Sequence, residues 1–291
     1  MPSEIIFTSG ASEANHFALK GVAFQHISDK GHIITSSIEH KCILNTCLFL
    51  ETLGFDITYL SPNKSGYISP QSVKNAIKSN TILISIQHVN NELGTIQPID
   101  EIGHIAFDND ILFHTDAAQS FCKLNIDVDD MDIDMLSLSG HKIYGPKGIG
   151  ALYVRNARES NLVPLIHGGG QENGMCGGTS PTPLIVGLAS AVKYFPSIDD
   201  NNAVENLKKD LDPFQYRRNG GNKTLPTIWS ITFLNDEDEK KFLKECHWYI
   251  SKGSACNAIS NKASHVLQAL NFIEEEARRT YRISLPPFKV K

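Results

Sequence analysis

The sequence predicts an α/β fold: a largely parallel, doubly wound sheet flanked by helices, followed by a small α+β C-terminal domain. Three observations carry this expectation. Short apolar runs alternate with helical stretches from the start to about residue 155. The length of 291 residues suggests two domains at ~150 residues each. The composition, 41% hydrophobic and 20% charged, excludes disorder, collagen-like repeats and a coiled coil.

The elements follow in order. Ile5-Ile6-Phe7-Thr8 reads as a strand, and Ser12 to Phe24 has helical spacing through Phe17, Leu19, Val22 and Ala23. His32 to Thr35 is the next strand and Ile43 to Leu53 the next helix. Strands then follow at Asp56–Leu60, Ile82–Ile86, Ile111–His114, Met135–Leu138 and Ile149–Val154. A loop-like stretch over 161–180 carries His167-Gly168-Gly169-Gly170 and leads into an apolar helix, Leu184 to Tyr194. A polar, Asp/Asn/Gly-rich segment starts near Pro196, which sets the expected domains at 1–195 and 196–291. Beyond it come a strand (Thr227–Phe233), a helix (Glu237–Glu245), a Gly-Ser-Ala-Cys loop and a helix from about Ser264 to Leu270.

Several function classes fall away. With 27 basic against 32 acidic residues the net charge is −5, so no basic excess points to nucleic acid. No apolar run reaches the ~18 residues that mark a membrane span. The start, Met1-Pro2-Ser3-Glu4, lacks a signal peptide's basic and apolar regions. The six cysteines show no CxxC or CxxH spacing, so they read as reduced thiols of a cytoplasmic protein rather than a disulfide framework or zinc site.

Ligands of such sheets bind beyond the carboxyl ends of the strands. Ser9-Gly10-Ala11-Ser12 after the first strand is either an anion-binding turn or a simple helix cap. Glu39-His40-Lys41 follows the second strand, and an amide-rich run, Gln87 to Glu92, follows Ile82–Ile86. Asp116 ends the next strand; it could cap a helix or pair with a cationic ring nitrogen. Ser139-Gly140-His141-Lys142 then enters a Gly-Pro loop, where Lys142 is a candidate to bond an aldehyde, against the alternative of a solvated loop lysine. Together, a lysine, an acid and a phosphate turn meet the needs of pyridoxal phosphate (PLP). A hydrolase is excluded despite His167-Gly-Gly-Gly, because no G-x-S-x-G elbow occurs.

At these residues the sequence resembles the cysteine desulfurases. The similar segments are Phe7–Glu13, Glu39–Lys41, Val89–Glu92, Thr115–Ser120, Ser139–Gly148, the loop 167–179, and Ser251-Lys252-Gly253-Ser254-Ala255-Cys256. The last is similar to the catalytic loop of the group I (NifS/IscS-like) branch. The resemblance implies the fold of the class V aminotransferases, PLP fold type I, and the conversion of L-cysteine to L-alanine with a persulfide left on the enzyme. It implies that Lys142 holds PLP and moves the substrate Cα proton, that Asp116 pairs with the ring nitrogen, and that His40 stacks on the ring. Gln119 would bond the ring hydroxyl. Ser12, Ser139 and His141, with the Ala11 amide, would hold the phosphate, and Thr179 would reach the phosphate of a neighbouring subunit in a homodimer. Asn91 and Arg282 would bind the substrate carboxylate, and Asn91 would also face the cofactor. Cys256 would be the nucleophile, passing sulfur to an acceptor protein. Iron–sulfur scaffolds, tRNA thiolation enzymes and DNA sulfur modification all use such donors.

The other cysteines receive no role; Cys42 and Cys47, on an apolar helix, are expected in the core. The sequence also departs from the family. It starts where relatives have a preceding segment, looks shortened between Tyr194 and Ser251, and carries Cys176 and Pro286-Pro287 where Arg and Gly-Arg are usual. Two alternatives therefore stand beside the desulfurase: a degenerate or partner-completed subunit without activity, and a class V aminotransferase or C–S lyase.

Overall fold

The computed structural model describes residues 1–157, 160–196, 202–253 and 263–286. They form two compact units. The first comprises Met1–Leu60, Ile68–His88 and Gln97–Phe195. The second takes in everything from Pro196 onward, together with Ser61–Tyr67 and Val89–Ile96.

The first unit is built on a seven-stranded sheet. In chain order its elements are β1 (Ile5–Thr8), α1 (Ala11–Gln25), β2 (His32–Ser36), α2 (Lys41–Thr52), β3 (Asp56–Leu60), α3 (Pro70–Ala76), β4 (Thr81–Ser85), α4 (Ile99–Asp108), β5 (Leu112–Asp116), β6 (Met135–Ser139), a 3-10 turn (Gly140–Ile143), β7 (Gly150–Val154) and α5 (Thr182–Lys193). The spatial order is β1-β7-β6-β5-β4-β2-β3. Strands β2 to β6 are mutually parallel, and β7 runs antiparallel between β6 and β1. β1 is therefore parallel to β6, so the carboxyl ends of β1, β2, β4, β5 and β6 share one edge.

Both faces of this sheet are covered, which is why its strands read as continuous apolar runs. Side chains alternate across the pleat. Ile34, Ile84, Phe113 and Leu136 face α3, α4 and α5, where they meet Val73, Ile102 and Leu188. Their neighbours Ile33, Leu83 and Met135 face α1 and α2, against Phe17, Val22, Ile43 and Leu50. One polar chain runs through the strands. His114 bridges Ser85 and Ser137 at 2.9 Å each, and burial pushes its imidazole down to about 3.

The second unit holds α6 (Ala203–Leu211), β8 (Tyr216–Arg218), β9 (Ile228–Phe233), α7 (Asp236–Glu245), β10 (Tyr249–Ser251), α8 (His265–Ala269), α9 (Glu274–Arg278) and β11 (Thr280–Ser284). Its four strands form an antiparallel sheet in the order β10-β11-β9-β8. The core is aromatic: Phe233 packs on Phe242 at 5.2 Å between ring centroids, beside Trp229, Ile231 and Tyr281. α7 starts at Asn235, whose side chain accepts from Asp238 N, and four acids in its first turn complement the helix dipole.

The expected single boundary at residue 195 left out two earlier segments of this unit. Val89–Ile96 joins it through main-chain bonds, Leu225 N to Gly94 O and Ile96 N to Lys223 O, and through the bridge Thr95–Thr224. Among the described residues no helix is long and apolar enough to cross a membrane.

Candidate active site

The functional residues of the first unit gather at the shared carboxyl edge of its sheet. β5 ends at Asp116, which is 8% exposed. Both carboxylate oxygens have donors: Ala118 N reaches Oδ1 at 2.9 Å and Asn15 Nδ2 reaches Oδ2 at 2.7 Å. These two bonds fix the orientation of the carboxylate. Gln119 lies in the turn that follows, half-buried.

Next to β5, β6 ends at Ser139 and passes into the 3-10 turn that carries His141 and Lys142. Gly145 N bonds to Gly140 O at 2.9 Å and closes the turn. Gly140 has no room for a side chain, since a Cβ there would meet Pro146 O at 3.0 Å. Ser139 Oγ and His141 Nδ1 lie 2.8 Å apart. His141 is pushed below its ordinary value, by desolvation first and then by the charges of Lys142 and Lys147. Lys142 is half-buried.

After β1 the chain turns at Gly10, the N-cap of α1. The helix cap expected within Ser9–Ser12 is thus a glycine rather than a serine, and Ser12 sits exposed in the first turn beside Ala11. A Cβ on Gly10 would lie 3.7 Å from Ser139 Oγ, so the helix start and the end of β6 converge.

After β2, His40 is the N-cap of α2, and its Nδ1 accepts from Cys42 N at 3.2 Å. Below it, Glu39 is fully buried, with Ser36 Oγ at 2.6 Å and Gln87 N at 2.9 Å donating to Oε1. Burial pushes this carboxyl up to about 8, so it is largely protonated at neutral pH.

The amide-rich run divides between structure and site. Gln87 ties β4 to the β2–α2 turn through Ile38 O at 2.7 Å. Asn90 Oδ1 accepts from Glu92 N and Leu93 N, an Asx turn. Asn91 is half-buried in the second unit, where Arg282 Nη1 donates to its carbonyl at 3.1 Å. The structure thus brings together Asn91 and Arg282, two residues that lie far apart in sequence.

Thr179 stands apart from these clusters. It is exposed on the glycine-rich loop, where it lines a 190 Å³ cavity with Phe7, Ser9, Glu13 and Cys176. Cys256 lies outside the described residues. The described chain leads to it as far as Gly253, whose φ of +63° and close approach to Glu92 Oε2 and Ser264 both favour glycine.

Two expectations about cysteines separate here. Cys47 is a core residue, fully buried, its thiol pushed up to about 12 by burial. Cys42 is not: it is half-buried at the site, 3.0 Å from His40 Nδ1 and 3.2 Å from Asn15 Nδ2. From the first turn of α2 it packs against the edge of the apolar layer and also reaches these polar groups. Asn15 was missed altogether. Its signal was position, since it follows Ser12 by three residues and so lies on the same helix face.

The donor set fits PLP. A buried carboxylate with both oxygens supported suits a ring nitrogen, a lysine in a tight turn suits an aldehyde, and the hydroxyls and free amides where α1 meets β6 suit a phosphate.

Comparison with known proteins bears on the same residues. The Aminotransferase class-V family profile matches residues 1–289. A mitosomal cysteine desulfurase of Trachipleistophora hominis is 45% identical over 98% of this chain and 68% of its own length. Cysteine desulfurase IscS of Buchnera aphidicola subsp. Baizongia pistaciae is 44% identical over 99% of this chain and 73% of its own. Among solved structures, SspA in complex with cysteine superposes with a TM-score of 0.95 and 66% identity, covering 100% of this chain and 83% of that one. DndA from Streptomyces lividans superposes at 0.84 with 36% identity, covering 97% and 83%. The chain belongs to the class V aminotransferase family, in its PLP-dependent cysteine desulfurase branch.

Proposed function

We propose that this chain converts L-cysteine to L-alanine and carries the released sulfur as a persulfide on Cys256. The observation that carries the reading is the meeting of Lys142, Asp116, His40, Ser12 and Ser139 at one sheet edge. This favours the desulfurase over a degenerate subunit, because no member of the expected set has been replaced.

Bound PLP supplies an electron sink that lets the substrate Cα proton leave and the Cβ–S bond break. Asp116, positioned by two donors, would pair with the ring nitrogen and favour its protonated form. Lys142 holds the cofactor and then moves a proton at the substrate Cα. His40 covers the ring face. Its Nδ1 accepts from Cys42 N, so in the neutral ring the proton sits on Nε2. Ser12, Ser139, His141 and the Ala11 amide hold the phosphate, and Gln119 bonds the ring hydroxyl. Arg282 and Asn91 grip the substrate carboxylate; Arg282 suits this because its planar fork can hold both oxygens.

Cys256 then attacks the substrate sulfur as a thiolate. A new S–S bond forms, the C–S bond breaks, and its electron pair is finally protonated in alanine. The balance is L-cysteine plus enzyme thiol giving L-alanine plus enzyme persulfide, with no outside oxidant. Gly253 supports the reading of a loop that carries this sulfur onward.

The same reading has the chain acting as a cytoplasmic homodimer, with Thr179 completing a neighbour's phosphate site. The exposed apolar residues Val186, Val192 and Tyr194 on and just after α5 support it. The sulfur acceptor would be a protein of iron–sulfur assembly or tRNA thiolation. The test is mass spectrometry of the loaded enzyme after L-cysteine. One added sulfur on the Cys256 peptide is expected, and its presence on another cysteine instead would overturn the assignment.

A further inference from the structure

Asp116 and His40 sit on different elements, yet one hydrogen-bonded path joins them. The Asn15 amide spends one hydrogen on Asp116 Oδ2 at 2.7 Å and the other on Cys42 Sγ at 3.2 Å. Cys42 Sγ lies 3.0 Å from His40 Nδ1. Asn15 is 1% exposed, and its Oδ1 has no hydrogen-bond partner among the described residues.

The direction of the path follows from the donors. Asn15 donates into the sulfur, Ser12 also hydrogen-bonds it, and the bare His40 Nδ1 3.0 Å away is an acceptor for the thiol's own hydrogen. That nitrogen already accepts from Cys42 N at 3.2 Å, and both bonds require it to be bare. The thiol must stay protonated for this. Burial first, then the Asp116 charge, push it up to about 11. Cys42 is therefore a hydrogen-bonding group here and not a second nucleophile.

We infer that Asn15 is a positioning residue of the PLP site: its amide fixes the Asp116 carboxylate against the ring nitrogen, and Cys42 anchors that amide while linking it to His40. The inference rests on the reading that Asp116 faces PLP. An apolar packing role for Asn15 is disfavoured by the buried Oδ1, since a residue there only to fill space would not need an amide. Among the described residues, the charged or titratable groups that bear on Asp116 and Cys42 include Glu39, His40 and His16, the last bonded to the Cys42 main chain, together with each other.

The test uses apo-protein reloaded with PLP labelled with 15N at the ring nitrogen. Affinity for PLP and the ring-nitrogen resonance are measured for wild type, Asn15→Leu, Asn15→Asp, Cys42→Ala and Cys42→Ser. Asn15→Leu should bind PLP roughly tenfold more weakly, the loss expected for a hydrogen bond to a charged group. Its ring-nitrogen resonance should shift from the wild-type position, because the carboxylate loses the 2.7 Å donor that fixes it against that nitrogen. Cys42→Ala should weaken binding about two- to threefold, and Cys42→Ser should restore it.

Asn15→Asp is nearly isosteric and keeps the inference open to refutation if the leucine variant does not fold. Two carboxyls this close share one proton. At acid pH the added O–H replaces the amide donor and affinity should match wild type; on raising the pH it should fall away from wild type. Wild-type resonance and affinity in Asn15→Leu, or an Asn15→Asp affinity ratio that does not change with pH, would overturn the inference. Wild-type protein that takes up no PLP would instead overturn the reading beneath it.

Discussion

The parallel sheet of the first unit and the antiparallel sheet of the second display their chemistry in different ways. In the first, six strands end at one edge, and the groups there stand on short turns with buried supports. Asp116 has two donors, Glu39 has two, and Lys142 rides a closed 3-10 turn. In the second, Arg282 lies within β11 and meets a loop carbonyl, and the described chain reaches Gly253, three residues before the proposed nucleophile Cys256. The first arrangement suits a cofactor that must not move. The second suits a thiol that has to reach both a substrate and an acceptor.

The comparison breaks most sharply at Lys142. Lys142→Ala should abolish the visible band of bound PLP and lower turnover by at least about 10³-fold, as expected when a covalent group is removed. A variant that kept the band would undo the assignment of the fixed half. Arg282→Lys should act on the other half, raising KM for L-cysteine roughly tenfold with the PLP band unchanged, because a lysine cannot hold both carboxylate oxygens at once. Steady-state kinetics beside an absorbance spectrum separates the two effects.

Glu39 and His114 sharpen the contrast through pH. Glu39 is raised from 4.5 to about 8, so its proton-linked stability is fully present below 4.5 and lost as pH rises through about 8. His114 is depressed from 6.5 to about 3, so its contribution is present above 6.5 and lost as pH falls through about 3. Stability of the first unit should therefore decline on both sides of mildly acidic pH. Glu39→Gln can still accept from Ser36 and Gln87. It should remove the alkaline decline, which amounts to roughly 1.4 kcal/mol per pH unit in the affected range. Urea unfolding from pH 5 to 9 checks this, and an unchanged alkaline slope would contradict it. The smallest effect belongs to Asn219, whose Nδ2 bonds Ser230 Oγ at 3.1 Å and Thr232 Oγ1 at 3.0 Å. Asn219→Ala should cost about 1–2 kcal/mol in the second unit and leave the PLP band untouched.

Much of the first unit was legible because its strands are continuous apolar runs between helical patterns. All seven fall within a residue or two of their expected bounds. The second unit was harder. β8 and β10 are three residues each, too short for a periodic signal, and α6 lies in a stretch read only as polar. The joining of Val89–Ile96 to residues around Thr224 depends on long-range main-chain bonds that no local pattern announces. At the site, residues with a chemical signature, such as Lys142 and Asp116, could be found from sequence. Asn15 and Cys42 could not, because their significance comes from atoms brought together across three elements, β5, α1 and α2. An apolar helix face suggested a core position for Cys42; it does pack against the core's edge, but its place in the first turn also brings its thiol to Asn15 and His40.

The central claim is that carbon–sulfur cleavage here ends on one thiol, that of Cys256. Its most direct test is turnover with L-cysteine and a reductant in PLP-loaded protein, with alanine and sulfide both quantified, in wild type and Cys256→Ser. The account predicts equal amounts of the two products in wild type, and loss of both in the variant while its PLP band remains. Alanine formed at the wild-type rate by Cys256→Ser would contradict it.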